Sequence, residues 1–182
     1  MNPIYQCILY GGRLIALNKK SVGIRPIVVG CVWRRLTAKC ACSYATSKLA
    51  EFFTPVQVGI GVPGGCEAPV HVTRGLVENM GADDLLVKLD YANAFNCLHR
   101  DHMLNIVMEV VPEIHCFCYS AYRYNCTLQF GSFSLSSQVG PQQGDPLAGL
   151  LFCFGDLEAP QVDQINILFR LYGRHHARGK CE

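Results

Sequence analysis

The chain has 182 residues, half of them hydrophobic and 16% charged, which suits one folded domain or lobe and excludes a disordered tail. Net charge is only +2, yet residues 1–50 hold eight Lys/Arg and no acid, while the remainder holds eight Lys/Arg against all fourteen acids. That asymmetry points to a polyanion at one end and a metal or acid–base site elsewhere, or to nothing beyond a solvated face.

Arg13–Leu17 and Ile24–Val29 read as two short strands joined by a Lys-Lys-Ser-Val-Gly turn. Cys31 to about Phe53 reads as a helix, with Trp33, Leu36, Cys40 and Tyr44 at helical spacing and Arg35 and Lys39 four apart on another side. Trp33 and Tyr44 are expected in the core. Thr54–Gly65, with its prolines and glycines, reads as a shaped loop, and Glu67–Met80 as a second helix.

Leu85–Asp90 is a short apolar run ending in an acid, which suits a buried strand whose last residue emerges at a site. Arg100–Val111 reads as a helix stopped by Pro112, and Glu113–Tyr122 as another. Thr127–Phe130 and Ser134–Val139 form a hairpin across Gly131-Ser132, and Gly144 to about Leu157 a buried helix. The mixture is irregular and the last hairpin is local, so the expected class is α+β.

No apolar run approaches the roughly 18 residues of a membrane span. Residues 1–12 lack the basic start and apolar run of a secretion signal, so an intracellular chain without a membrane partner is expected. Eleven cysteines include C-x-C pairs at Cys40/Cys42 and Cys116/Cys118 but no C-x-x-C, a pattern that favours reduced thiols over zinc. His71, His99, His102 and His115 show no ligand grouping.

Chemistry concentrates in Asp90-Tyr91-Ala92-Asn93-Ala94-Phe95-Asn96. A carboxylate at a strand end is a hard oxygen ligand for Mg²⁺, the small-residue turn offers N–H groups to phosphate oxygens, and the aromatic can wall off a sugar. The plainer alternative is a helix-capping acid. Arg25-Pro26-Ile27, with Lys19 and Lys20 upstream, places cations on the two-stranded ribbon. Gly140-Pro141-Gln142-Gln143-Gly144-Asp145-Pro146-Leu147 is a polar, glycine-bounded turn opening into an apolar helix. Loops of the G-x-G-x-x-G or G-x-x-x-x-G-K-[ST] kind are absent from the sequence.

In this order and spacing, R-P-I, L-D-Y-A-N-A-F-N and G-P-Q-Q-G-D-P-L resemble the fingers motif and palm motifs A and B of reverse transcriptases, specifically the non-LTR retrotransposon type. The likeness covers about residues 11–155. It implies a partial right-hand polymerase fold: a fingers-like segment over 1–84, a partial palm over 85–158, and a divergent tail over 159–182 expected to be disordered. It implies Mg²⁺ at Asp90, with an RNA template, a DNA primer and dNTP as partners. By the same resemblance Phe95 is a steric gate against a ribose 2′-OH. Ala94 holds triphosphate through its N–H, Arg25 with Lys19 or Lys20 binds the phosphates, and Gln143 and Gly144 lie against sugar and template–primer. The implied reaction is in-line attack of a primer 3′-OH on the α-phosphate, assisted by two metals. Arg34, Arg35 and Lys39 either touch template phosphate or form a helix's wet face.

The family's later Tyr/Phe-x-Asp-Asp, motif C, does not occur after residue 146. Asp83-Asp84 precedes Asp90 by too few residues to serve and reads as a solvated turn. A one-nucleotide frame shift permits codons for residues 171–180 that spell Tyr-Met-Asp-Asp-Ile-Thr-Leu-Gly-Gly, so residues beyond about 155 read as an out-of-frame or mis-spliced segment. Two metals about 4 Å apart need more than one carboxylate, so the isolated chain is expected to be inactive. The alternative is a non-catalytic RNA- or DNA-binding remnant gripping backbone through the basic first fifty residues.

Overall fold

The structure, a computed structural model, describes residues 3–19, 23–54, 57–82, 84–86 and 94–157. Asp90, Lys20 and the tail from 158, with the expectations placed on them, lie outside the described residues. So does the strand expected over 85–90, apart from Leu85 and Leu86.

The class is mixed α and β, with one four-stranded sheet in the order β2-β1-β3-β4. Strands β1 (Gly12–Asn18) and β2 (Ile24–Gly30) form the expected antiparallel ribbon, with Ile15 opposite Ile27. Strands β3 (Cys126–Phe130) and β4 (Phe133–Ser137) form the second hairpin around Gly131, whose φ of +59° is the left-handed turn conformation glycine adopts without strain. A short parallel pairing, Gly12 with Leu128 and Arg13 with Gln129, joins the hairpins. Helix α1 (Pro3–Tyr10) precedes them and was not expected; eight residues beginning at a proline leave too little periodicity to read.

Helices α4 (Arg100–Val110) and α5 (Pro112–Tyr122) pack together, with Met103, Leu104, Ile106 and Val107 of one and Ile114, Cys118, Ala121 and Tyr122 of the other buried. Pro112 both ends α4 and opens α5, because a proline lacking its N–H is tolerated in a first helical turn. Helix α6 (Ala148–Leu157) starts four residues later than expected. Gly144 has φ +112° and cannot be helical, and the Asp145 side chain accepts the Leu147 N–H at 3.0 Å just ahead of the helix.

Helix α2 (Val32–Phe53) corrects one expectation. Its buried side carries Arg34, Ala38, Ala45, Leu49 and Phe53. Trp33, at 73% exposure, and Tyr44, at 47%, are outside, with Leu36. The apolar stripe that marks the helix is its outer face. Two alanines allow close approach on the inner face, where Arg34 meets a carboxylate too distant in sequence to be foreseen.

The described residues group into two compact units. One holds those numbered 3–48 and 94–156, the other those numbered 49–86 together with Leu157. In the second unit α3 (Ala68–Glu78) follows the loop that was expected from its glycines. A Cβ on Gly65 would lie 1.8 Å from the Val58 carbonyl oxygen, so only glycine closes that turn. Among the described residues no helix is long and apolar enough to cross a membrane.

Candidate functional site

Two of the three sequence motifs are described in full, and both belong to the first unit. Arg25 is exposed near the start of β2, opposite Leu17 on β1. Lys19 is exposed at the adjoining turn, where its N–H donates to the Gly23 carbonyl at 3.0 Å. Farther along β2, the Val28 N–H donates to the Gln143 carbonyl at 2.7 Å. The 140–147 turn therefore lies directly on the strand that carries R-P-I. Gly144 permits this: a Cβ there would stand 2.5 Å from the Val28 carbonyl oxygen, and its φ of +112° already disfavours other residues.

Of the third motif, Ala94–Asn96 forms a single 3₁₀ turn. The half-buried Phe95 ring meets Phe152 of α6, centroids 5.2 Å apart. A Cβ on Gly140 would overlap the Phe95 carbonyl oxygen at 1.7 Å. Phe95 is thus seated against both ends of the segment that carries Gln143 and Gly144. Arg25, Phe95, Gln143 and Gly144 share one unit with direct links from the turn to β2 and from the turn to Phe95. Asp90 is outside the described residues, so its distance from Arg25 and Gln143 is not part of this geometry.

Beneath the turn is a buried polar cluster that the sequence did not disclose. Arg34 Nη2 donates to Asp145 Oδ2 at 2.6 Å, and Nη1 donates to Gln142 Oε1 at 2.6 Å and to the Tyr10 carbonyl at 2.9 Å. The Tyr122 hydroxyl also donates to Asp145 Oδ2. Gln142 Nε2 donates to Cys126 Sγ at 2.9 Å, and the Gln142 N–H to the Tyr122 oxygen at 3.3 Å. On the other side Arg100 donates through Nε to the Gly140 carbonyl at 3.0 Å and through Nη1 to the Ser137 carbonyl at 3.0 Å. Its Nη2 reaches Ser137 Oγ at 2.8 Å.

The guanidinium carbons of Arg34 and Arg100 stand 5.3 and 5.4 Å from the Tyr122 ring centroid, within cation–π range. Burial, and then the Asp145 charge, hold the Tyr122 hydroxyl protonated well above its usual range. Burial likewise pushes the Cys118 thiol up to about 12. Desolvation lowers Arg100 from its ordinary value.

Arg34 belongs neither to a wet face nor to an exposed phosphate contact. Its charge is used inside the fold, while Arg35 and Lys39 are exposed. The missed residues are Tyr10, Arg100, Tyr122, Gln142 and Asp145. Only Asp145-Pro146, with the form of a helix start, carried a local signal.

Among the described residues no three His, Cys, Asp or Glu side chains gather as a metal would require. Every described cysteine is a free thiol. An open groove of about 800 Å³, lined by Cys7, Arg13, Val29, Cys31, Thr127 and Gln129 among others, contains none of the expected site residues. No protein-family model and no curated protein matches the chain.

Proposed function

We propose that the chain is the fingers, residues 1–84, and part of the palm, residues 85–158, of a reverse transcriptase of the non-LTR type, with no polymerase activity when residues 1–182 act alone. The observation that carries this reading is the join between β2 and the 140–147 turn, Val28 N–H to Gln143 carbonyl at 2.7 Å. It puts R-P-I and G-P-Q-Q-G-D-P-L on one wall, with Phe95 against the second of them.

In this reading Arg25 with Lys19 or Lys20 neutralises a triphosphate, and the Ala94 N–H donates to it. Phe95 occupies the space a 2′-OH would need, and Gln143 and Gly144 lie against sugar and template–primer. Mg²⁺ would be held by Asp90 and would supply charge neutralisation at the phosphate. The 182 residues hold no acidic pair after the turn with which to complete that set. The exposed Arg35 and Lys39, in a first fifty residues without an acid, favour a second reading: a non-catalytic RNA- or DNA-binding remnant.

Anisotropy of a labelled primer annealed to an RNA template, followed by extension with dNTP and Mg²⁺, tests both. The polymerase reading expects primer–template binding that Gln143→Ala weakens, tightened by added dNTP in the native chain but not in Arg25→Ala, with no incorporation. Binding indifferent to both substitutions supports the remnant instead. Incorporation lost in Asp90→Ala overturns the claim of inactivity, and no binding at all overturns both readings.

A further inference from the structure

The two edges of the sheet differ. Strand β2 is covered: its Val28 N–H donates to the Gln143 carbonyl, so the 140–147 turn lies along that side. Strand β4 is open. It is last in the sheet order, it pairs with β3, and Phe133, Ser134, Leu135 and Ser136 are all exposed. The hairpin turns over Gly131-Ser132, so Phe130 with Phe133 is its first hydrogen-bonded pair and Leu128 with Leu135 the next. Ser134 and Ser136 therefore point their N–H and C=O groups outward. Among the described residues no backbone partner meets those groups. Arg100 marks the end of the open edge, donating to the Ser137 carbonyl at 3.0 Å and to Ser137 Oγ at 2.8 Å.

Edge strands are ordinarily blunted by a lysine, a proline or a bulge, because unpaired backbone invites another strand. Strand β4 has none of these. Its register with β3 is unbroken from Ser137 to Phe133, and no charged residue or histidine occurs between Arg123 and Asp145. One side of the pleat carries Phe133 and Leu135, 68% and 48% exposed, with Phe130 beside Phe133 at 41%. The other side carries Ser134 and Ser136. A fitting occupant is an extended, uncharged strand that alternates apolar and small polar residues. Phe-Ser-Leu-Ser-Ser, the sequence of β4, is such a strand, and it is complementary to itself. About a two-fold axis at Ser134, that residue exchanges both backbone bonds with Ser134 of a second copy. Phe133 then falls opposite Leu135 of the second copy on either side of the axis, and no like charges meet. A partner strand bearing charges would find no counter-charge along β4.

We propose that β4 is the surface through which two copies of the chain associate, its outer edge pairing antiparallel with β4 of the second copy. The joint sheet runs β2-β1-β3-β4 and then β4-β3-β1-β2. One pairing uses up the open edge, so association stops at two. The 140–147 turn of each copy lies along β2, at an outer end of the joint sheet, and is left uncovered. The inference stands on the edge alone and holds whether or not the chain descends from a polymerase.

Sedimentation equilibrium of residues 1–182 tests it, from micromolar to hundreds of micromolar, with reductant present so that the free thiols form no bridges. The mass should rise from one chain to two and no further. Hydrogen exchange over the same range should slow at the Ser134 and Ser136 amides and stay unchanged in β2. Two substitutions should each weaken association by about tenfold or more while circular dichroism stays native. Ser134→Pro removes an outward N–H that β3 does not use, and Leu135→Lys sets a cation on either side of the axis. A chain that stays single throughout, a mass that grows past two, or exchange at Ser134 and Ser136 that ignores concentration overturns the proposal. So does undiminished association of a folded Leu135→Lys.

Discussion

Helix α2 carries an ion pair near each end, and the two are opposites. Arg34 and Asp145 meet with side chains each 3% exposed, whereas Lys48 and Glu113 meet with side chains 45% and 43% exposed. The inner pair is embedded in further bonds to Gln142, Tyr10, Tyr122 and Leu147. The outer pair rests on its two members, each shifting the other toward its charged form, with Tyr44 as a minor contributor. A charge taken out of water needs partners, which Arg34 finds at Nη1 and Nη2 though not at its buried Nε, and those partners fix the chain around it. Charges left in water constrain little. The inner pair holds the 140–147 turn in place, and the outer one decorates the helix.

Removing one inner partner should have the largest effect. Arg34→Met leaves the Asp145 carboxylate buried without its cation, an expected loss of about 3–5 kcal/mol in a urea unfolding curve. Arg34→Met/Asp145→Leu should recover part of that loss, since no lone charge remains; a double variant less stable than both singles breaks the comparison. Next comes Arg100→Lys, which keeps the charge but not the planar fork that reaches Gly140 and Ser137 together. About 1.5–3 kcal/mol should be lost by the same measurement.

A smaller effect is expected from pH. The Cys118 thiol, ordinarily near 9.0, is pushed up to about 12, and Tyr122 is raised well above its ordinary 10.0. Both groups keep protons in the folded chain that the unfolded chain releases. The stability these two groups contribute should therefore be level below about pH 9 and fall as pH rises from there toward about 12. Urea midpoints across that range check the sign, and Tyr122→Phe should flatten part of the slope. The smallest effect belongs to the outer pair: Lys48→Ala should leave the urea midpoint within measurement error, and a clear loss would erase the contrast between the two ends.

Much of the secondary structure was legible. Both ribbons, α2, α4 and α5 follow from periodicity and from glycine or proline punctuation, because these are local properties of the chain. Orientation was not local. The stripe Trp33-Leu36-Cys40-Tyr44 identifies a helix correctly but points away from the core, because Asp145, more than a hundred residues on, claims Arg34 for the interior. The closure of Gly140 over Phe95 and of Gly144 over Val28 was equally hidden, although both glycines stood in the motif that drew attention to the turn. The motifs carried residue types, and tertiary contacts supplied the reason for each type.

The most direct test of the proposed site is the binding of dNTP to the chain on a primer annealed to an RNA template, native chain against Arg25→Ala. If Arg25 meets the triphosphate, dNTP binding weakens as salt rises, and the substitution lowers both the affinity and that salt dependence. Identical affinities and salt dependence for the two proteins would contradict a phosphate-facing Arg25 and, with it, the use of β2 and the 140–147 turn as a nucleotide site.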